Sequence, residues 1–179
     1  MKDADVVRMV APALERYTET TLSEVWKRPD LSARDRSLVT VAALIARNQA
    51  TQLSSYLNRA PDNGVKAAEI SEVITHLAFY SGWGNAMAAA AVAKEVFQAR
   101  GIGADQLPPA SGPLLPMDEA AESKRAASVE QNVGPVSPGV VQYTSDPLFH
   151  DLWRPGNGQR AHCFGPSRAD HVSSEPRDG

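Results

Sequence analysis

Along the first two thirds of the chain, apolar residues recur at helical spacing and nowhere in the alternation of a half-buried strand. Residues 7–27 read as one helical segment, which Arg28-Pro29-Asp30 breaks. Proline lacks a backbone donor and pushes the residue before it out of helical backbone. Ser32 then stands as an N-cap, with Asp35 three positions on as its capping-box partner. The helix that follows carries Leu38, Val39, Val41, Ala42, Leu44 and Ile45. That is too apolar for a surface helix and predicts a central place in the fold. A shorter helix over 51–58 leads to the turn Pro61-Asp62-Asn63-Gly64. From 66 to 83, Ile70, Val73, Ile74 and Leu77 follow i, i+3, i+4, i+7, a core stripe. Gly82-Trp83-Gly84-Asn85 interrupts this helix, and an alanine-rich helix runs on to Arg100 with Gly101 as its stop. The expected fold class is all-α.

Beyond Gly101 the pattern changes. Pro108, Pro109, Pro113 and Pro116 mark a linker, and 118–131 reads as a polar helix. Val136, Pro138, Tyr143-Thr144, Leu148 and Trp153 then echo Val10, Pro12, Tyr17-Thr18, Leu22 and Trp26, with one inserted residue before the second tryptophan. This reads as an internal repeat whose second copy starts and then fails. The alternative is a chance similarity ahead of a naturally disordered tail. After Trp153 there is no Leu, Ile, Met, Trp or Tyr, so the tail cannot offset its ordering entropy. The expected organisation is a helical domain over 1–103, a linker with a helix over 104–135, an incomplete second copy over 136–153, and a disordered tail over 154–179.

Composition narrows the function classes. A chain of 179 residues with 42% hydrophobic content is enough for one ordinary domain. The net charge of −3 lacks the clustered Lys and Arg of a nucleic-acid or anionic-membrane footprint. The apolar runs fall short of the roughly 20 residues of a membrane span. No apolar run follows the N-terminus, so no signal peptide is expected. Cys163 is the single cysteine, which excludes an internal disulfide or two-thiol centre and makes a reducing cytoplasm the default compartment. No His/Cys/Asp cluster has metal-ligand spacing, and no phosphate loop or Gly-x-Ser-x-Gly is present.

The candidate chemistry lies on the helix over 66–83. At ~100° per residue, Glu69, Glu72, His76, Tyr80 and Trp83 share one arc beside the core stripe. Glu72 and His76 are at i, i+4, where side chains meet. A carboxylate there orients the imidazole and favours its charged form, as a positioned proton donor or acceptor requires. On spacing alone, an ordinary surface Glu–His pair is the simpler reading. Arg34 and Arg36 stand in the first turn of their helix, where cations oppose the macrodipole. Either an acidic neighbour, such as Asp35 or a glutamate of another helix, or an anionic ligand must compensate.

Three stretches now carry a resemblance. They are 28–45, with Arg36-Ser37-Leu38-Val39-Thr40; 57–60 with 63–65; and 69–86, with Glu-x-x-Glu-x-x-x-His-x-x-x-Tyr-x-Gly. Together they resemble the carboxymuconolactone decarboxylase family, with its AhpD-like helical fold, and most closely its tandem members. The resemblance implies homo-oligomers with sites near subunit or domain contacts. It also implies cofactor-free decarboxylation of a small anionic lactone or keto acid in aromatic-compound breakdown. By position, it makes Arg36 an anion holder, Glu69 and Glu72 the family glutamates and His76 the acid. His76 and Glu72 are then the catalytic candidates, and Arg36, Tyr56, Glu69, Tyr80 and Trp83 the substrate-binding ones. Relatives usually have a second histidine where this chain has Tyr56, and many have leucine where it has Pro61. A sister group reduces peroxides with a Cys-x-x-Cys pair, which this domain lacks. The competing expectation is a non-catalytic oligomeric or ligand-binding remnant of the family.

Overall fold

The computed structural model describes residues 3–154. Among these the fold is all-α, with no strand. The stretch read as one segment over 7–27 lies across three helices, α1 (Asp3–Val10), α2 (Pro12–Tyr17) and α3 (Ser23–Lys27). Ala11 leaves helical backbone at φ −144°, ψ 69° because Pro12 follows it. A π-helical turn, Thr18–Leu22, joins α2 to α3. There the Thr18 and Thr20 hydroxyls donate to the carbonyls of Leu14 and Arg16, four residues back, each at 2.8 Å.

The core is built by α4 (Ala33–Ala46), α5 (Ala50–Arg59), α6 (Ala67–Ser81) and α7 (Trp83–Ala99). Helix α4 packs against the other three, the central place its apolar content predicts. It starts as expected: Ser32 Oγ accepts from the Asp35 amide at 3.0 Å and donates to the Asp35 carboxylate at 2.8 Å. Val41, Ile45, Leu53, Leu57 and Ile70 are the largest fully enclosed side chains. Each contributes roughly 1.5–3 kcal/mol by leaving water. Ala89 and Ala93 let α7 close onto this cluster, and Ile74 and Leu77 flank it half-buried. Gly82, at φ 102°, ψ 142°, is the hinge between α6 and α7. Only glycine adopts that backbone without strain.

The polar helix expected at 118–131 is α8 (Glu119–Val133), N-capped by the Asp118 side chain. It is followed by α9 (Pro138–Tyr143) and a π-helical stretch, Thr144–Leu152. The two echoing segments share one backbone plan. Each opens with proline at the first helical turn, behind a residue near φ −150° (Ala11 at −144°, Ser137 at −151°). Each then runs through a short α-helix to Tyr and widens to π geometry at Thr18 or Thr144. They differ in burial: α2 and α3 bury no residue, whereas Phe149 and Leu152 are buried. Arg154, assigned from the sequence to the tail, is held: its carbonyl accepts from the Leu115 amide and its Nε donates to the Leu115 carbonyl at 3.1 Å. The rest of the tail, with His162, Cys163 and His171, lies outside the described residues.

Candidate active site

The arc Glu69, Glu72, His76, Tyr80 and Trp83 is a gradient of burial. Glu69 and Glu72 are buried, His76 is half-buried, and Tyr80 and Trp83 are exposed. Between α4 and α6 lies a cavity of about 410 Å³ lined by Leu38, Val39, Ala42, Val73, His76, Leu77 and Tyr80. His76 and Tyr80 are its polar lining side chains. Their rings stack at 5.0 Å between centroids and 18° between planes, and Nδ1 of His76 is shielded from solvent. Tyr80 Oη accepts a hydrogen bond from the indole N–H of Trp153 at 2.9 Å. The space opens to solvent beside the exposed Val39 and Tyr80, so an anion there sheds part of its water and meets an imidazole and a phenol.

Glu72, one turn before His76, faces a separate cavity of about 230 Å³ closed by the linker and the second segment through Pro109, Leu114, Pro147, Asp151 and Leu152. Trp83 packs edge-on against Phe79 at 5.3 Å, outside the His76 cavity.

Glu69 ties two helix starts together. Its Oε1 accepts from Arg34 of α4, and its Oε2 accepts from the Lys66 amide at 2.8 Å, capping α6. For Arg34, burial works against the charge, but the carboxylates of Glu69 and Asp35 together overcome it and raise its pKa. The Asp35 carboxyl is held below its ordinary range, first by the Ser32 hydroxyl and then by Arg34, against some desolvation. Acidic neighbours, one local and one from another helix, thus compensate Arg34.

Arg36 is compensated differently. Its guanidinium donates to three backbone carbonyls, those of Trp26, Arg28 and Leu31, and lies 5.6 Å from the centre of the Trp26 ring. It fastens the α3–α4 connection and does not line the His76 cavity. Tyr56 stacks on Trp26 at 5.9 Å. It lines another cavity, of about 480 Å³, with Trp26, Lys27, Ser37, Arg59 and Asn63. The structure therefore brings His76 and Tyr80 together, puts Glu72 on the same helix facing the linker, and sets Arg36 and Tyr56 elsewhere.

Two contributors escape a reading of α6 alone. Val39 and Ala42 form the α4 wall of the cavity; the signal is that α4 has more apolar positions than one core stripe uses. Trp153 reaches Tyr80 from the second segment, and its match to Trp26 is the corresponding hint. Among the described residues, no group of three or more His, Cys, Asp or Glu is placed to hold a metal ion, and no helix is long and apolar enough to cross a membrane.

Residues 11–95 match the model of the carboxymuconolactone decarboxylase family. The chain is 39% identical over 84 residues to a 4-carboxymuconolactone decarboxylase of Acinetobacter baylyi, covering 47% of this chain and 63% of that protein. It is 37% identical over 71 residues to the nitrosuccinic acid decarboxylase npaB of Metarhizium robertsii, covering 40% and 50% respectively. The chain thus spans less than two thirds of either relative.

Proposed function

We propose that this protein, whose residues 11–95 match the carboxymuconolactone decarboxylase family, is a cofactor-free carboxy-lyase acting on a small carboxylated lactone or keto acid. The observation that carries the reading is the half-buried His76, stacked on Tyr80 in an apolar cavity of about 410 Å³. Decarboxylation converts a carboxylate into carbon dioxide and leaves an electron pair on carbon, delocalised into a neighbouring carbonyl. An apolar cavity disfavours the localised charge of the starting carboxylate more than the spread charge of the enolate. The imidazole of His76, in its protonated form, then delivers the proton that the carbon requires. Glu72 stands one turn back on α6 but faces the linker cavity, and Tyr80 offers a phenol at the His76 cavity. In this reading Arg36 shapes the α3–α4 connection and reaches the substrate only indirectly. Both relatives are named as decarboxylases of small acids, which supports the reaction class and leaves the substrate to be found.

The experiment is a panel of carboxylated lactones and β-keto acids offered to the purified full chain, with release of carbon dioxide measured. Turnover above the buffer rate supports the reading; none on any member of the panel overturns it. A second reading, a ligand-binding remnant without turnover, is favoured by the commitment of Arg36 and Glu69 to backbone and ion-pair contacts. Calorimetry showing that panel members bind without being consumed would select it. Assembly into homo-oligomers in the cytoplasm belongs to the same proposal. So does the reading of 136–153 as the start of a second domain copy, which the shared proline-to-π plan supports.

A further inference from the structure

Trp153 lies outside the family match, in the second of the two echoing segments, yet it contacts the candidate site. Its indole N–H can only donate, so the 2.9 Å contact fixes Tyr80 Oη as the acceptor. A phenol oxygen that accepts on one lone pair keeps its own proton to give, and accepting strengthens that donation through cooperative polarisation. Tyr80 in turn stacks on His76 and lines its cavity. Indole, phenol and imidazole thus form one chain of contacts leading from the C-terminal segment to the proposed acid.

Trp153 keeps part of its ring in solvent, at 39% exposure, and is packed on its other side. Phe149 packs on it at 4.8 Å, and the guanidinium of Arg125 lies 5.1 Å from its ring centre. The next residue, Arg154, is tied both ways to Leu115, and Leu152 is buried beneath. The segment is therefore anchored from α8, from the linker and by its own aromatic pair. The tryptophan that matches it in the first segment, Trp26, is also set against a tyrosine, Tyr56. The contacts differ in kind: Trp26 stacks on its tyrosine, whereas Trp153 donates a hydrogen bond to Tyr80.

We infer that Trp153 is a positioning residue that turns Tyr80 into an oriented hydrogen-bond donor at the His76 cavity, where the oxygen of a developing enolate would receive it. The catalytic half of this inference rests on the decarboxylase reading; the positioning half does not. Removing one such hydrogen bond is expected to lower kcat by about threefold to tenfold. KM should move little, because the contact strengthens as charge develops.

The test uses the full chain labelled with nitrogen-15, with the Trp153 indole signal identified by its loss in Trp153→Phe. In Tyr80→Phe that indole signal should move upfield and exchange faster with water. In Trp153→Phe, which keeps a ring but loses the donor, the His76 ring protons should shift and kcat should fall while the melting temperature holds. An indole signal unmoved by Tyr80→Phe overturns the inference. So do unmoved His76 ring protons in Trp153→Phe, or a melting temperature that falls while kcat holds. If the unmodified chain turns over no substrate, the decarboxylase reading falls alone, and the indole and imidazole signals still decide whether Trp153 sets Tyr80.

Discussion

Arg34 and Glu69 join the first turns of α4 and α6 through an ion pair in which the carboxylate is almost fully enclosed, at 4% side-chain exposure. Glu69 also caps the Lys66 amide, so one side chain closes a helix start and crosses to the neighbouring helix. Glutamate at this position is thus accounted for by architecture. Breaking a buried pair by deleting one member costs about 3–5 kcal/mol, because the remaining charge is stranded. Arg34 keeps partial solvent access and a second partner in Asp35, which places Glu69→Ala near the lower end. Urea denaturation should show a loss of unfolding free energy of that size, read as a lower midpoint at an unchanged m-value. A change under 1 kcal/mol would mean that the pair is not closed in solution.

The N-cap of α4 gives a pH signature. The folded state holds the Asp35 carboxyl below its ordinary range, chiefly through the Ser32 hydroxyl. A carboxyl whose folded pKa is depressed adds stability above its unfolded pKa of about 3.9, and that stability is lost as pH falls through the lower folded value. Ser32→Ala should destabilise by about 1 kcal/mol at neutral pH. The difference from the unmodified chain should narrow on acidification below about pH 4. A difference that stays constant down to pH 2 would show that only the backbone cap is lost, with no coupling to Asp35.

What the sequence reveals is what local chemistry decides. Ser32 and Asp35 are three residues apart, and the stripe from Ile70 to Leu77 repeats with the helix itself, so both are legible without any tertiary knowledge. The reading of 7–27 as one segment passes over Pro12, the local signal for the break at Ala11, and the π turns that follow Tyr17 and Tyr143 carry no such signal. They depend on side-chain hydroxyls bonding back to the helix in the first segment and on Pro147, which lacks a donor, in the second. The fate of Arg36 is also hidden. Its acceptors are carbonyls of Trp26, Arg28 and Leu31, and the path of that connection is fixed only once α3 has met α4. The α4 wall of the cavity is hidden for a similar reason, since the facing of Val39 and Ala42 toward His76 depends on how two helices cross.

Three carbonyls gathered by one guanidinium make Arg36 hard to replace. Lysine keeps the charge and three donors, but these radiate from one nitrogen and cannot match the planar spread of the guanidinium across separated carbonyls. Arg36→Lys should lower stability by about 1–3 kcal/mol and loosen the Trp26–Tyr56 stack, visible as altered tryptophan fluorescence. Stability unchanged beside a KM raised tenfold or more would instead assign Arg36 to the substrate.

The α6–α7 hinge rests on one residue. Gly82 sits at φ 102°, ψ 142°, and a side chain there would meet nothing within 4 Å. The cost of Gly82→Ala is therefore backbone strain rather than collision, about 1–3 kcal/mol. Thermal unfolding should show it as a lower melting temperature with the helical signal retained. No loss would mean that the hinge relaxes to another backbone conformation, which would displace Tyr80 and Trp83 on either side of it.

His76 decides the functional question. It lies half-buried between Tyr80 and the apolar wall of α4, so its loss removes little enclosed surface. His76→Ala should leave the helical signal and the cooperativity of unfolding in place. As the proton donor to carbon it should be indispensable, and removing a general acid costs about 10²–10⁴-fold in rate. The rate should not recover in His76→Asn, which restores hydrogen bonding but cannot carry the proton. Tyr80→Phe should fall between, because the phenol polarises an oxygen but does not protonate the carbon. Turnover that survives His76→Ala at more than a tenth of the original rate would move the acid elsewhere, with Glu72 next on the same helix. Loss of folding in both His76→Ala and His76→Asn would show that the imidazole is a structural element of the α4–α6 interface, and the remnant reading would then be the stronger one.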